Sequence, residues 1–193
     1  MIFKNFLNIK NNKTIKKDFI NLLKDQPQFF ETLKPTYKYS YSKKSISKYK
    51  KFANIRIIGM GGSIIGTEAI YNFLKKKIKK KLTFVNNLNS NSDYFKDKNI
   101  NLNLIISKSG NTLETIANAN TLIKSNESNI IITEDKDSYL TNLAGKLKAE
   151  IFEHKNYVGG RYSVLSEVGM LPTELMNLNE GKFKQFNNLI KNK

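Results

Sequence analysis

Four short, largely apolar runs, Ile55–Ile58, Leu82–Val85, Leu102–Ile106 and Ile130–Ile132, recur through the middle of the chain. They do not show the steady apolar–polar alternation of a strand with one wet face. Such runs belong to strands covered on both sides. Helical patterns at 66–80, 112–125 and 138–148 separate or follow them, and strands joined through helices pair in parallel. The expected fold class is therefore α/β: a three-layer αβα sandwich around a parallel sheet. Two further helices fit 164–178 and 181–191. Upstream, residues 1–52 read as a helical, peripheral extension. Phe19, Leu22 and Leu23 fall at helical spacing, Pro27 and Pro35 punctuate the chain, and Tyr37, Tyr39 and Tyr41 suit a short strand or an extended wrap. In sheets of this kind ligands settle beyond the carboxyl ends of the strands, so function is sought in the residues that follow each run.

Composition removes several classes of chemistry. With no Cys, the chain has no disulfides, thiolate zinc sites or cysteine nucleophiles. One histidine, His154, leaves no His-rich metal cluster, and it is given no catalytic role. No metal and no cofactor is expected. No run of about 18 apolar residues is present, and the start MIFKNFLNIKNNK lacks the pattern of a secretory signal, so no membrane partner and a cytoplasmic location are expected. The 33 Lys+Arg against 16 Asp+Glu give a net charge of +17. Only Arg56 and Arg161 are arginines, whereas phosphate forks and base edges favour Arg, so the charge reads as solvated surface and not as a nucleic-acid site. The run Lys75–Lys81 is expected as a solvated helix end.

Three strand-end loops carry the chemistry. The first, Gly59-Met60-Gly61-Gly62-Ser63-Ile64-Ile65-Gly66, follows the first run and opens a helix. Ile64 stands where a dinucleotide fingerprint needs its third glycine, the next run ends in Asn86-Asn87 and not in an acid, and no Gly-Lys-Ser/Thr of a P-loop is present. A glycine turn with a hydroxyl at Ser63 remains, and a plain tight turn without a ligand accounts for it equally. The second loop, Ser107-Lys108-Ser109-Gly110-Asn111-Thr112, gathers three hydroxyls, a cation and a helix start, an inventory suited to a phosphate dianion. Capping by Asn111 with Glu114 is the competing explanation for part of it. The third, Val158-Gly159-Gly160-Arg161-Tyr162-Ser163, places a scarce arginine after a Gly-Gly turn. A planar, permanent cation suits an oxyanion or a developing enediolate, and pairing with Glu167 is the alternative.

Taken in order, Ile58–Ser63, Ser107–Thr115 and Gly159–Ser166 through Val168–Pro172 resemble the phosphoglucose isomerase family over about residues 50–180. The resemblance implies a sugar-isomerase (SIS) domain with a five-stranded parallel sheet at 53–180, preceded by the extension at 1–52 and followed by a helix at 181–193. It implies interconversion of glucose 6-phosphate and fructose 6-phosphate through an enediolate, in glycolysis and gluconeogenesis, without a cofactor. Carried over by position, Ser107, Lys108, Ser109 and Thr112 hold the phosphate of a hexose 6-phosphate, Gly62, Ser63 and Gly160 line the pocket, and Arg161 stabilises the enediolate. A homodimer is implied for the full-length form. Gly110 and Asn111 depart from the family pattern, which has an aromatic and a hydroxyl there. The family's proton-transferring carboxylate, ring-opening histidine and late lysine lie beyond the Gly-Gly-Arg motif, and only 21 residues follow Pro172, none of them His. The chain is expected to be an N-terminal part of an isomerase, inactive alone, with a non-catalytic sugar-phosphate sensor as the other expectation.

Overall fold

A computed structural model describes residues 13–25, 28–88, 100–124 and 126–185. Five strands, β1 (Asn54–Gly59), β2 (Lys81–Val85), β3 (Leu102–Ile106), β4 (Ser128–Thr133) and β5 (Glu150–Glu153), form one sheet in the order β2-β1-β3-β4-β5. Every pairing is parallel. The helices are α1 (Lys13–Asp25), α2 (Lys43–Ile46), α3 (Ile65–Leu74), α4 (Leu113–Leu122), α5 (Tyr139–Leu147) and α6 (Glu167–Leu175). This is the expected αβα sandwich.

Side-chain alternation in the strands divides the core in two. Ile55, Ile57, Leu102, Leu104, Ile106, Ile130, Ile132 and Phe152 face a layer containing α3, α6 and the tyrosine segment. Ile58, Val85, Ile105 and Ile131 face α4 and α5. The strand order reverses between β1 and β3, and the helices after those two strands leave to opposite faces there. That divergence opens a crevice at the carboxyl edge.

The N-terminal stretch is less peripheral than its composition suggests. Tyr41, Ile46 and Tyr49 join the main core, and Tyr37–Tyr41 runs as an extended wrap, not a strand. Its hold is polar as well: the Tyr37 hydroxyl donates to buried Glu167 at 3.0 Å, as does the Ser40 N–H. By contrast Phe19 and Leu22 of α1 are exposed, so their helical spacing buries neither.

Helix ends differ from expectation for local reasons. The helix expected over 66–80 stops at Leu74, followed by a single 3-10 turn at Lys75–Lys77. Those three lysines are solvated, whereas Lys80 is buried and donates to the Lys50 carbonyl at 2.6 Å. The helix expected over 164–178 begins at Glu167, because Gly160–Leu165 forms a 3-10 segment and Ser166 caps α6. Pro172 inside α6 deprives the Val168 carbonyl of its helical donor, and Thr67 of α3 donates to it at 3.2 Å. After it, Glu180–Lys184 is a 3-10 segment; Pro27 and residues 186–191 lie outside the described residues. No helix among the described residues is long and apolar enough to cross a membrane.

Candidate functional site

The three loops meet at one edge of the sheet. Gly59 of β1 and Ile106 of β3 are register partners, so the first two loops start side by side. The third loop packs on the first. A Cβ on Gly62 would stand 2.2 Å from the Gly160 carbonyl oxygen, so this contact requires glycine. The Ser163 hydroxyl donates to the Gly160 carbonyl at 2.7 Å, with the Gly62 carbonyl at 3.2 Å. The Lys108 ammonium reaches the Asn156 carbonyl at 2.6 Å, tying the second loop to the approach of the third.

The second loop forms a polar cradle. Ser107 Oγ lies 2.8 Å from Thr112 Oγ1, and Ser109 Oγ lies 3.5 Å from each. The backbone N–H groups of Lys108, Ser109 and Thr112 have no acceptor among the described residues. Main-chain donors without acceptors, hydroxyls and the start of a ten-residue helix converge there, and this is the donor set an anion needs.

Capping by Asn111 does not account for the loop. Thr112 is the N-cap of α4 and makes no side-chain cap bond. Asn111 Oδ1 instead accepts from the Tyr139 N–H at 2.8 Å, and the Gly110 carbonyl accepts from the Leu140 N–H at 3.1 Å. Gly110 has φ +70°, and a Cβ there would sit 2.2 Å from Ser138 Oγ. The two positions that depart from the family pattern therefore dock the start of α5 against the cradle.

Arg161 is exposed, and no ion pair engages it among the described residues. The alternative partner, Glu167, is committed to Tyr37 and Ser40, and burial pushes its carboxyl above the usual range. The neighbouring Tyr162 ring stacks on Phe29 at 4.8 Å, bringing the N-terminal segment over this turn. Ser63 sits partly exposed in the first loop.

Sequence reasoning missed Glu134, the residue after β4. Its Oε1 lies 3.5 Å from Lys108 Nζ, and its Oε2 pairs with Lys136. The Lys136 bond, with the charges of Lys136 and Lys108, holds its carboxyl below the usual carboxylate range. Position beyond an apolar run was the available signal, but no motif marks it. His154, just after β5, is buried; its backbone N–H donates to the Thr133 carbonyl at 2.7 Å, and its Nε2 has no partner. No group of three or more potential metal ligands occurs among the described residues.

Comparison with known proteins bears on the family and the fold. Glucose-6-phosphate isomerase of Methanocaldococcus jannaschii is 38% identical over 142 residues, covering 66% of this chain and 35% of the relative. A second glucose-6-phosphate isomerase, of Borrelia garinii, is 36% identical over 138 residues and is covered to 26%. The chain thus spans about a quarter to a third of the length of the curated relatives it matches. Among solved structures, a hypothetical protein of Thermus thermophilus superposes with a TM-score of 0.70 at 17% identity, over 90% of this chain and 46% of the other, a likeness of fold. The family model described as phosphoglucose isomerase matches residues 6–192, well beyond the stretch from 50 to 180 that the motifs cover. This chain belongs to the phosphoglucose isomerase family.

Proposed function

We propose that residues 53–180 form the sugar-phosphate-binding unit of a glucose-6-phosphate isomerase. The phosphate of glucose or fructose 6-phosphate is held by the hydroxyls of Ser107, Ser109 and Thr112 and by the N–H groups of Lys108, Ser109 and Thr112. Gly62, Ser63 and Gly160 line the sugar's path, and Arg161 faces the oxygen that becomes negative when a proton leaves C2 and the enediolate forms. The remote phosphate positions the reacting carbons, and a fixed cation meets charge that develops only in the transition state. The single observation that carries this reading is the cradle of main-chain donors that have no acceptor among the described residues, at the strand-order reversal.

Aldose–ketose exchange also needs a base at C2. Near the three loops, Glu134 is paired with two lysines, Glu167 is buried under Tyr37, and His154 is buried. This chain alone therefore binds without turnover, and the complete enzyme works as a homodimer with groups from elsewhere.

Calorimetric titration with fructose 6-phosphate tests the site. Losing a hydrogen bond to a charged group costs about 1.5–3 kcal/mol, so Thr112→Ala weakens binding roughly tenfold or more. Unchanged affinity overturns the phosphate assignment. A coupled isomerase assay of the chain alone gives no turnover; measurable turnover sinks the claim that its base lies elsewhere.

A further inference from the structure

Lys108 has two ends with separate tasks. Its N–H lies in the cradle with no acceptor among the described residues, while its ammonium is held by the Asn156 carbonyl at 2.6 Å and stands 3.5 Å from Glu134 Oε1. The main chain repeats the link, since the Glu134 N–H donates to the Lys108 carbonyl at 3.1 Å. Glu134 and Lys108 therefore grip each other twice, across the carboxyl ends of β3 and β4. The Lys108 side chain is only one-third exposed, and that of Glu134 is 15% exposed. A lysine stem has several rotatable bonds, and ordering it when the ligand arrives carries an entropic cost that a pre-formed bridge removes.

We propose that Glu134 is a positioning residue of the anion cradle. Through Lys108 it fixes the backbone of Ser107–Ser109 and keeps the ammonium on the β4–β5 side. The phosphate is then met by N–H groups and hydroxyls, and feels the lysine charge without touching it. This rests on the reading of the loop as the sugar-phosphate site.

The test is a double-mutant cycle read by calorimetric titration with fructose 6-phosphate. Glu134→Gln and Lys108→Met each weaken binding about five- to tenfold, and the double variant is no worse than the weaker single one, because both act through one bridge. Lys108→Arg, which retains a donor for the Asn156 carbonyl, stays within about twofold of wild type; loss as large as in Lys108→Met overturns the bridge. Tighter or unchanged binding in Glu134→Gln, the outcome if Glu134 merely competes with phosphate for the lysine, overturns the proposal. So do multiplied losses in the double variant. Should Glu134→Gln not fold, Glu134→Asp decides: its carboxylate is drawn back by one methylene from Lys108 Nζ, 3.5 Å away in the wild type, so binding weakens, and affinity equal to wild type overturns the proposal. Binding that is lost in Thr112→Ala yet indifferent to Glu134 defeats only this inference. Wild-type protein that does not bind the ester removes the phosphate reading, and this role with it.

Discussion

The two arginines mark two ends of the sheet that treat polar groups in opposite ways. Arg56 of β1 is buried, with Nη1 donating to Asn103 Oδ1 at 3.1 Å and to the Leu122 carbonyl at the end of α4 at 2.8 Å. Register aligns Arg56, Asn103 and Asn129 across three adjacent strands, and Glu127 joins them through Asn103 Nδ2 at 2.9 Å. Arg161, at the carboxyl edge, is exposed, and at that same edge the cradle N–H groups have no acceptor among the described residues. One end closes its polar groups on each other; the other leaves them open. The first holds the fold and the second is available to a ligand, and residue type alone does not distinguish them.

The largest test of that contrast is to remove each guanidinium in turn. Arg56→Met leaves the Glu127 carboxylate, 3.6 Å from Nη1, and the Asn103 amide oxygen without their cation in a buried setting. Breaking a buried pair in this way costs about 3–5 kcal/mol. Arg161→Met changes stability by no more than about 0.5 kcal/mol, the usual range for a surface site. Urea unfolding measures both; equal losses, or a neutral Arg56→Met, break the comparison.

A middle-sized test concerns two glycines. In Gly62→Ala the new Cβ meets the Gly160 carbonyl at 2.2 Å, so the first and third loops must part, with an overpacking cost of about 1–3 kcal/mol and a loss of fructose 6-phosphate binding. Gly145 lies within α5 with nothing within 4 Å of its virtual Cβ, so Gly145→Ala stabilises by about 0.5–1 kcal/mol. Thermal unfolding with parallel titration separates them. A Gly62→Ala protein that binds normally shows that the loops are not mutually fitted.

The central strands were legible because burial on both faces leaves few choices but apolar ones at β1, β3 and β4. β5 was not, since Glu150-Ile151-Phe152-Glu153 is a short edge strand with only Phe152 buried, and it gives no apolar run. The glycine and hydroxyl loops were legible from type and spacing. What escaped were long-range commitments: the Asn111 amide crossing to Tyr139, Glu167 to Tyr37, and Lys108 to Asn156. Each joins groups far apart in sequence, and spacing holds no record of such pairs. Arg56 escaped for the same reason, because its partners come from strand register and not from neighbours along the chain.

The smallest test asks whether the carboxyl edge also carries a cost in stability. Burial pushes the His154 imidazole below its usual value of 6.5, and the Lys108 charge acts in the same direction. Glu134 and the Lys155 carbonyl oppose that shift without reversing it. The folded state therefore resists a proton that the unfolded chain accepts from about pH 6.5 downward. Stability is full above that pH and declines as pH falls through the window between the unfolded and folded values, because the unfolded state binds more protons there. Glu134, held below its usual 4.5, loses its contribution only at more acid pH, so the two windows are separable. His154→Leu flattens the unfolding free energy between about pH 6.5 and the onset of carboxyl titration. It leaves the Arg56 end untouched, since that network is built on other residues, Asn103, Asn129 and Glu127. Wild type and His154→Leu falling in parallel through that window show that the histidine exchanges its proton equally in both states, and that this edge holds no buried cost.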